Sequence, residues 1–294
     1  VAGLLLPAFC DSHVHLGLTN PDALVTGGIG RVVDLGWDPA IAATWLQPGF
    51  ANLVVDVAGP LLAAPGGYPL KSGWAPDAAV REIGDSGAAA AAMDELRRLG
   101  ARVAKITLNS DAGPVWDDDI LRDVVVLAHK RGLSVVAHAQ GTGQAERAFV
   151  AGVDCLAHTP WTEVLSDDVI RRMIPGVAWI STLDIHGWGT YGADFTRASG
   201  NLERFAAWGG TVHYGTDLGN GPLPIGLNRR ELVALADAGL DMVSIVESLR
   251  GLLPADRDSR LASSIPDAAN VDDLGTIDDL MRAVVVALPA AGEK

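Results

Sequence analysis

The chain has 294 residues, enough apolar residues for a large core, and a formal net charge of −14. A surface this acidic repels nucleic acid and anionic lipid, so neither is expected as a partner. No apolar run reaches the roughly 18 residues of a membrane span, and VAGLLLPAF lacks the basic leader and cleavage pattern of a signal peptide. The two cysteines, Cys10 and Cys155, make no metal or disulfide motif and fit a reducing, cytoplasmic location.

Apolar β-branched runs predict eight strands: Leu4–Cys10, Arg31–Leu35, Asn52–Val57, Arg102–Leu108, Ser134–His138, Cys155–His158, Ala178–Leu183 and Thr211–Thr216. Helices are predicted between them at Pro39–Leu46, Asp77–Leu99, Asp117–Arg131, Gly143–Ala151, Ser166–Met173, Asn201–Trp208 and Arg229–Ala238. Acidic first turns and closing Arg-Gly pairs mark several of their ends, as at Asp117 and Arg131-Gly132. Strands alternating with helices imply parallel pairing, and eight such units imply an α/β (β/α)₈ TIM barrel. An open doubly wound sheet is the alternative, without a Gly-x-Gly-x-x-Gly fingerprint to support it. The barrel is expected over residues 1–253. The tail, 254–294, reads as polar and loop-like through DRDSRLASSIPDAANVDDLGTIDD, followed by one last apolar run, AVVVALPAA.

In a parallel barrel the reactive groups gather where strands end. The first strand runs into Asp11, His13 and His15; the fourth carries Lys105; the fifth and sixth end at His138 and His158; the eighth ends at Asp217. Side chains two apart on a strand share a face, so His13 and His15 can reach one metal ion. Imidazole and carboxylate are ordinary ligands of zinc and similar ions. Lys105 interrupts an apolar strand, where an unpaired ammonium is costly, and a neutral amine there can react with carbon dioxide to give a carbamate. A buried ion pair is the plainer account of it.

These segments resemble the amidohydrolase superfamily of metal-dependent hydrolases, in the branch of imidazolonepropionase-like and prolidase-like enzymes. The resemblance rests on PAFCDSHVHLGL, GARVAKITLNS, RGLSVVAHAQGTGQAERAFVAGVDCLAHTPW and GGTVHYGTDLG, with support from GGIGRVVDLG and GLNRRELVALADAGLDMVSIVESL, and covers roughly residues 6 to 250. It implies that His13, His15 and Asp217 bind one metal, that His138 and His158 bind a second, and that carbamylated Lys105 bridges them. Two divalent ions follow, zinc by default, with manganese, iron or nickel as alternatives. The implied activity is hydrolysis of a C–N bond (amide, peptide-like or lactam) in a small molecule by metal-activated hydroxide, with Asp217 as catalytic proton carrier.

Three alternatives stand beside that reading. A mononuclear cyclic-amide hydrolase or deaminase would leave Lys105 unmodified. An esterase or carbamate hydrolase would use the same site. A barrel that keeps metal without catalysis is the third. Family members carry a small β-sandwich built from both chain ends. Here a dozen residues precede His13, and DLGTIDDLMRAVVVALPA resembles only a vestige of that domain, so the sandwich is expected to be truncated, absent or rebuilt. The family's Asn-Pro-Ala-like helix is not recognisable in LRGLLPADRDSR.

Substrate contacts are expected from the loops AGPLLAAPGGYPLKSGWAP, LDIHGWGTYGADFTRAS and DLGNGPLPIG, which contribute Tyr68, His186, Trp188 and Tyr191. Lys71 and Arg197 are candidates for a substrate carboxylate. His129 is expected at the surface, and His213 in the core or behind the ligands. The partner is a small-molecule substrate; a homo-oligomer is compatible with the sequence.

Overall fold

The computed structural model describes residues 3–255 and 260–289. Its centre is a TIM-barrel-like α/β arrangement of parallel strands. Strands β1 (Gly3–Pro7) and β2 (Cys10–Val14) come first, followed by β3 (Arg31–Asp34) and β4 (Val54–Val57). Then come β5 (Leu61–Ala63), β6 (Val80–Glu82), β7 (Val103–Asn109) and β8 (Ser134–Gln140). The remainder are β9 (Cys155–Leu156), β10 (Ala178–Ile180), β11 (Val212–His213), β12 (Leu261–Pro266) and β13 (Val284–Ala287). Seven form one sheet in the order β11-β10-β9-β8-β7-β5-β6, and three form another, β2-β3-β4. Ser12 N–H donates to Tyr214 O at 3.0 Å and His15 N–H to Leu218 O at 2.8 Å, which ties the first central strand to the segment after β11.

Helices cover the outside, and their ends follow from local chemistry. Ser86–Leu99 begins where the Asp85 carboxylate accepts from Ala88 N–H, and stops at Gly100 in the left-handed conformation. Asp118–Lys130 begins at Asp117, which accepts from Asp119 and Ile120 N–H. The inner stripes of these two helices, including Met93, Leu96, Leu121 and Val124, are fully buried. Each such side chain contributes about 1.5–3 kcal/mol of burial free energy. On the opposite wall Trp179 of β10 stacks on Phe205 with ring centres 3.9 Å apart. No helix among the described residues is long and apolar enough to cross a membrane.

The structure corrects several sequence expectations. The run Leu4–Cys10 is not one strand. Pro7 ends β1, and the chain re-enters pairing at Cys10 in a different sheet. The 58–76 segment, read as loop, contains β5, because Leu61–Ala63 resumes pairing just past Gly59-Pro60. The helix expected from Asp77 begins only at Ser86; Val80–Glu82 pairs with β5 instead. The helix expected at Asn201–Trp208 starts earlier, at Ala193. The tail also differs. Leu261–Pro266, read as loop, is a strand that pairs antiparallel with β1 and with β13. A three-stranded sheet drawn from both ends of the described chain therefore flanks the centre, where the sandwich was expected to be truncated, absent or rebuilt.

Candidate metal centre

Six side chains singled out in the sequence line one cavity of about 220 Å³: His13, His15, Lys105, His138, His158 and Asp217. Their convergence starts from backbone pairing. Asp11 is buried and accepts from Thr216 N–H (3.0 Å), Thr216 Oγ1–H (2.5 Å) and His13 N–H (3.1 Å). That carboxyl, pushed up to about 7 by burial, locks the His-x-His strand beside the residue before Asp217. Asp34 does the same on the other side, accepting from Leu16 and Gly36 N–H at 2.8 and 3.1 Å. Gly215 permits the close approach: a Cβ there would lie 2.3 Å from Ile180 Cγ2 and 3.1 Å from His13 N. Asp217 itself sits at φ +57°, a sparsely populated conformation that turns its carboxylate inward.

The imidazoles are oriented from behind. His13 Nδ1 lies 2.9 Å from Ala157 O, and His15 Nδ1 lies 3.1 Å from Gly36 O. A carbonyl accepts only, so in both rings the proton resides on Nδ1 and the Nε2 lone pair faces the cavity. His158 Nδ1 lies 2.9 Å from Thr182 Oγ1, a third support of the same kind. His13 Nε2 and His15 Nε2 approach the same oxygen, Asp217 Oδ1, at 3.1 and 3.3 Å. That oxygen is buried and has no hydrogen-bond partner. Asp217 Oδ2 accepts from Asn220 at 2.9 Å.

Charge states agree with this picture. Burial holds His13 and His158 well below the ordinary histidine range, and His138 at about 3. Burial opposes ionisation of Asp217, but the surrounding imidazoles outweigh it and hold the carboxyl well below its usual value. With its proton on Nδ1, His13 turns the Nε2 lone pair toward Asp217 Oδ1 at 3.1 Å. Two acceptors in contact are stabilised by a cation between them, so the donor set fits a divalent metal. The ligand atoms of His13, His15 and Asp217 all lie within 4.8 Å of one another.

Lys105 Nζ lies 3.4 Å from His13 Nε2, and burial lowers the amine to about 7. His138 and His158 stand edge to face at 5.0 Å between ring centres, with His158 4.8 Å from His13.

Among the loop candidates, Tyr68 and His186 line the cavity, whereas Trp188 and Tyr191 do not. Trp188 is exposed, with its indole N–H on Asn220 O, and Tyr191 packs against Phe195 outside. Lys71 is exposed, and Arg197 pairs with Asp194 and does not itself line the cavity. His129 pairs with Asp154 at the surface, and His213 lines a separate hollow with Glu247 and Arg250. Trp74, Trp161, Thr107, Gln140 and Asn220 belong to the site and were missed. Thr107 had a legible signal, since it lies two residues past Lys105 on the same strand face; its hydroxyl donates to Tyr68 O at 2.6 Å. Trp161 follows His158 by three residues, close enough to the strand end to have been flagged.

No family model matches the sequence. Uncharacterized proteins of Mycobacterium bovis and Mycobacterium tuberculosis are 27% identical over 261 residues, 74% of this chain and 65% of each relative. The chain thus spans just under two thirds of the length of the curated relatives it matches. A Xaa-Pro dipeptidase structure with bound methionine in its active site superposes with a TM-score of 0.74 at 18% identity, covering 96% of this chain and 85% of that one. A putative prolidase from Bifidobacterium longum gives 0.71 at 21% identity, covering 97% and 80%. The chain shares the fold of these two structures. Phenylurea hydrolase B shares it too, with a TM-score of 0.68 at 12% identity over 96% of this chain and 84% of that one. At these identities the likeness concerns the amidohydrolase fold alone; the chemistry is argued from the site.

Proposed function

We propose that this chain is a metal-dependent hydrolase of carbon–nitrogen bonds in small molecules. The observation that carries the reading is the pair of imidazole lone pairs aimed at one buried, hydrogen-bond-free oxygen of Asp217. The strands are read as a (β/α)₈ barrel over residues 1–253, and Leu261–Pro266 and Val284–Ala287 of the tail join Gly3–Pro7 in the flanking sheet. His13, His15 and Asp217 would hold one divalent ion, and His138 and His158 a second, with a carbamate on Lys105 as a further ligand. Bound divalent ions supply Lewis-acid polarisation of the substrate carbonyl and a water made acidic enough to attack it.

The chain's own residues supply the rest. Lys105 is poised to lose its proton near neutral pH, so its nitrogen can add to carbon dioxide, forming the N–C bond as a C=O π pair moves to oxygen and then releasing the nitrogen's extra proton to solvent to leave the anionic carbamate. Asp217 stays ionised and can accept a proton from the attacking water and pass it to the leaving nitrogen. Asn220 steadies that carboxylate through Oδ2, leaving Oδ1 free. Ala157 O, Gly36 O and Thr182 fix ring orientation, which raises ligand basicity.

One observation favours a second reading. His13, His15 and Asp217 form the one tight three-ligand group among the described residues, as a mononuclear hydrolase or deaminase would need. Metal analysis with mass spectrometry separates the two: two ions per chain and carbon dioxide added at Lys105, or one ion and a bare amine. The hydrolase reading itself is tested by chelation, readdition of Zn²⁺ with bicarbonate, and turnover of a panel of amides, lactams and esters. Turnover that survives complete chelation refutes it.

A further inference from the structure

Resting on the hydrolase reading, we propose that this site takes uncharged carbonyl compounds bearing a flat ring (neutral aryl amides, ureas or esters) and discriminates against substrates with a free carboxylate. Three features of the cavity carry this.

First, its walls are aromatic. Tyr68 stacks on His138 at 5.1 Å and 23°, Trp74 lies 4.9 Å from His15, and Trp161 lies 5.3 Å from His158 and 5.1 Å from His186. Trp74 N–H donates to Tyr68 Oη at 3.1 Å, so that pair is held as one wall. An adjoining hollow of about 280 Å³ shares His15, Tyr68, Trp74, Asp217 and Asn220, so the site has two small neighbouring lobes. Flat rings suit such walls through offset and edge contacts.

Second, among the described residues Lys105 is the one lysine or arginine lining either lobe. Its amine is part of the ligand set. Two arginines on neighbouring helices are engaged elsewhere. Arg197 donates to Trp161 O at 2.7 Å and pairs with Asp194; Arg230 pairs with Asp184 at 2.8 Å. Neither lines a lobe. Carboxylate recognition ordinarily uses a guanidinium fork or an ammonium, and a carboxylate left unpaired in a desolvated pocket is strongly disfavoured. The net charge of −14 adds a general repulsion.

Third, the remaining polar lining is neutral. Gln140 and Asn220 offer amides. His186 Nε2 is buried without a hydrogen-bond partner, and burial lowers that imidazole to about 4. It can meet an amide N–H or carbonyl as a neutral group, but it brings no charge to a carboxylate.

The test uses matched pairs with the full, Zn²⁺-loaded chain: N-benzoylglycine against N-benzoylglycine methylamide, and succinanilic acid against butyranilide. The neutral member of each pair is expected to show at least about tenfold higher kcat/KM. His186→Arg is expected to narrow that gap at least about fivefold, which a merely structural role for His186 would not do. Equal or better turnover of the acids overturns the proposal and leaves the hydrolase reading standing. Absence of turnover for all four compounds overturns the hydrolase reading instead. The same chain's tryptophan fluorescence then decides this proposal: tighter binding of benzamide than benzoate supports it, and tighter benzoate or no binding overturns it.

Discussion

Replacing Lys105 with Met tests the state of the buried amine on which the carbamate depends. In the metal-free chain the amine titrates at about 7, against 10.5 for a solvated lysine, because burial disfavours its charge; Asp217 and then Cys155 and Asp34 oppose that effect only in part. Between those two values the unfolded chain binds more protons than the folded one, so stability rises with pH across the window. At 1.36 kcal/mol per pH unit the cost of the lysine is about 4 kcal/mol at pH 7 and about 3 kcal/mol at pH 8.5. Lys105→Met removes the titration while filling similar space. The chelator-treated variant should therefore exceed wild type by about 4 kcal/mol at pH 7, with the excess falling to about 3 kcal/mol by pH 8.5. Urea denaturation of both proteins at pH 7, 7.5, 8 and 8.5 measures the difference. Taking the difference removes the thiol and phenol titrations common to both. With Zn²⁺ and bicarbonate the order should reverse, because only wild type can form the bridge. A pH-independent difference in the metal-free proteins would refute the assignment of a depressed amine at position 105.

Two further substitutions address separate parts of the site. Asp217→Asn preserves shape and one ligand oxygen, so most of the metal should remain by atomic absorption while kcat falls at least about 100-fold; near-normal turnover would remove Asp217 from its proton-carrying role. Thr182→Val deletes the acceptor of His158 Nδ1 without altering β-branching at a residue whose φ is already +42°. Zinc affinity by calorimetric titration should fall about 10–100-fold, and an unchanged affinity would show that His158 is not a ligand.

The chemistry was legible in the sequence because its signals are local. Two-residue alternation puts His13 and His15 on one face, and apolar runs ending at His138 and His158 announce strand ends at a barrel mouth. Lys105 stands out because an ammonium inside VAKITL contradicts its surroundings. The breaks in the pattern misled where punctuation was local but pairing was not. Gly59-Pro60 looks like a loop, yet Leu61–Ala63 pairs with strands that begin about 20 and 40 residues further on. Likewise the polar tail gave no hint that Leu261–Pro266 has its partner at Gly3–Pro7, because a strand's edge becomes satisfied only when distant chain arrives.

Residue types and spacing by themselves therefore picked out six side chains that the structure gathers round one cavity. Only the tertiary structure decided which aromatics face it. Trp74 and Trp161 line the cavity while Trp188 and Tyr191 turn outward, although all four lie in loops of similar composition. A loop side chain has no period to fix its direction; its orientation comes from contacts such as Thr107 on the Tyr68 carbonyl and Trp74 on the Tyr68 hydroxyl, which exist only once strands separated in sequence are side by side.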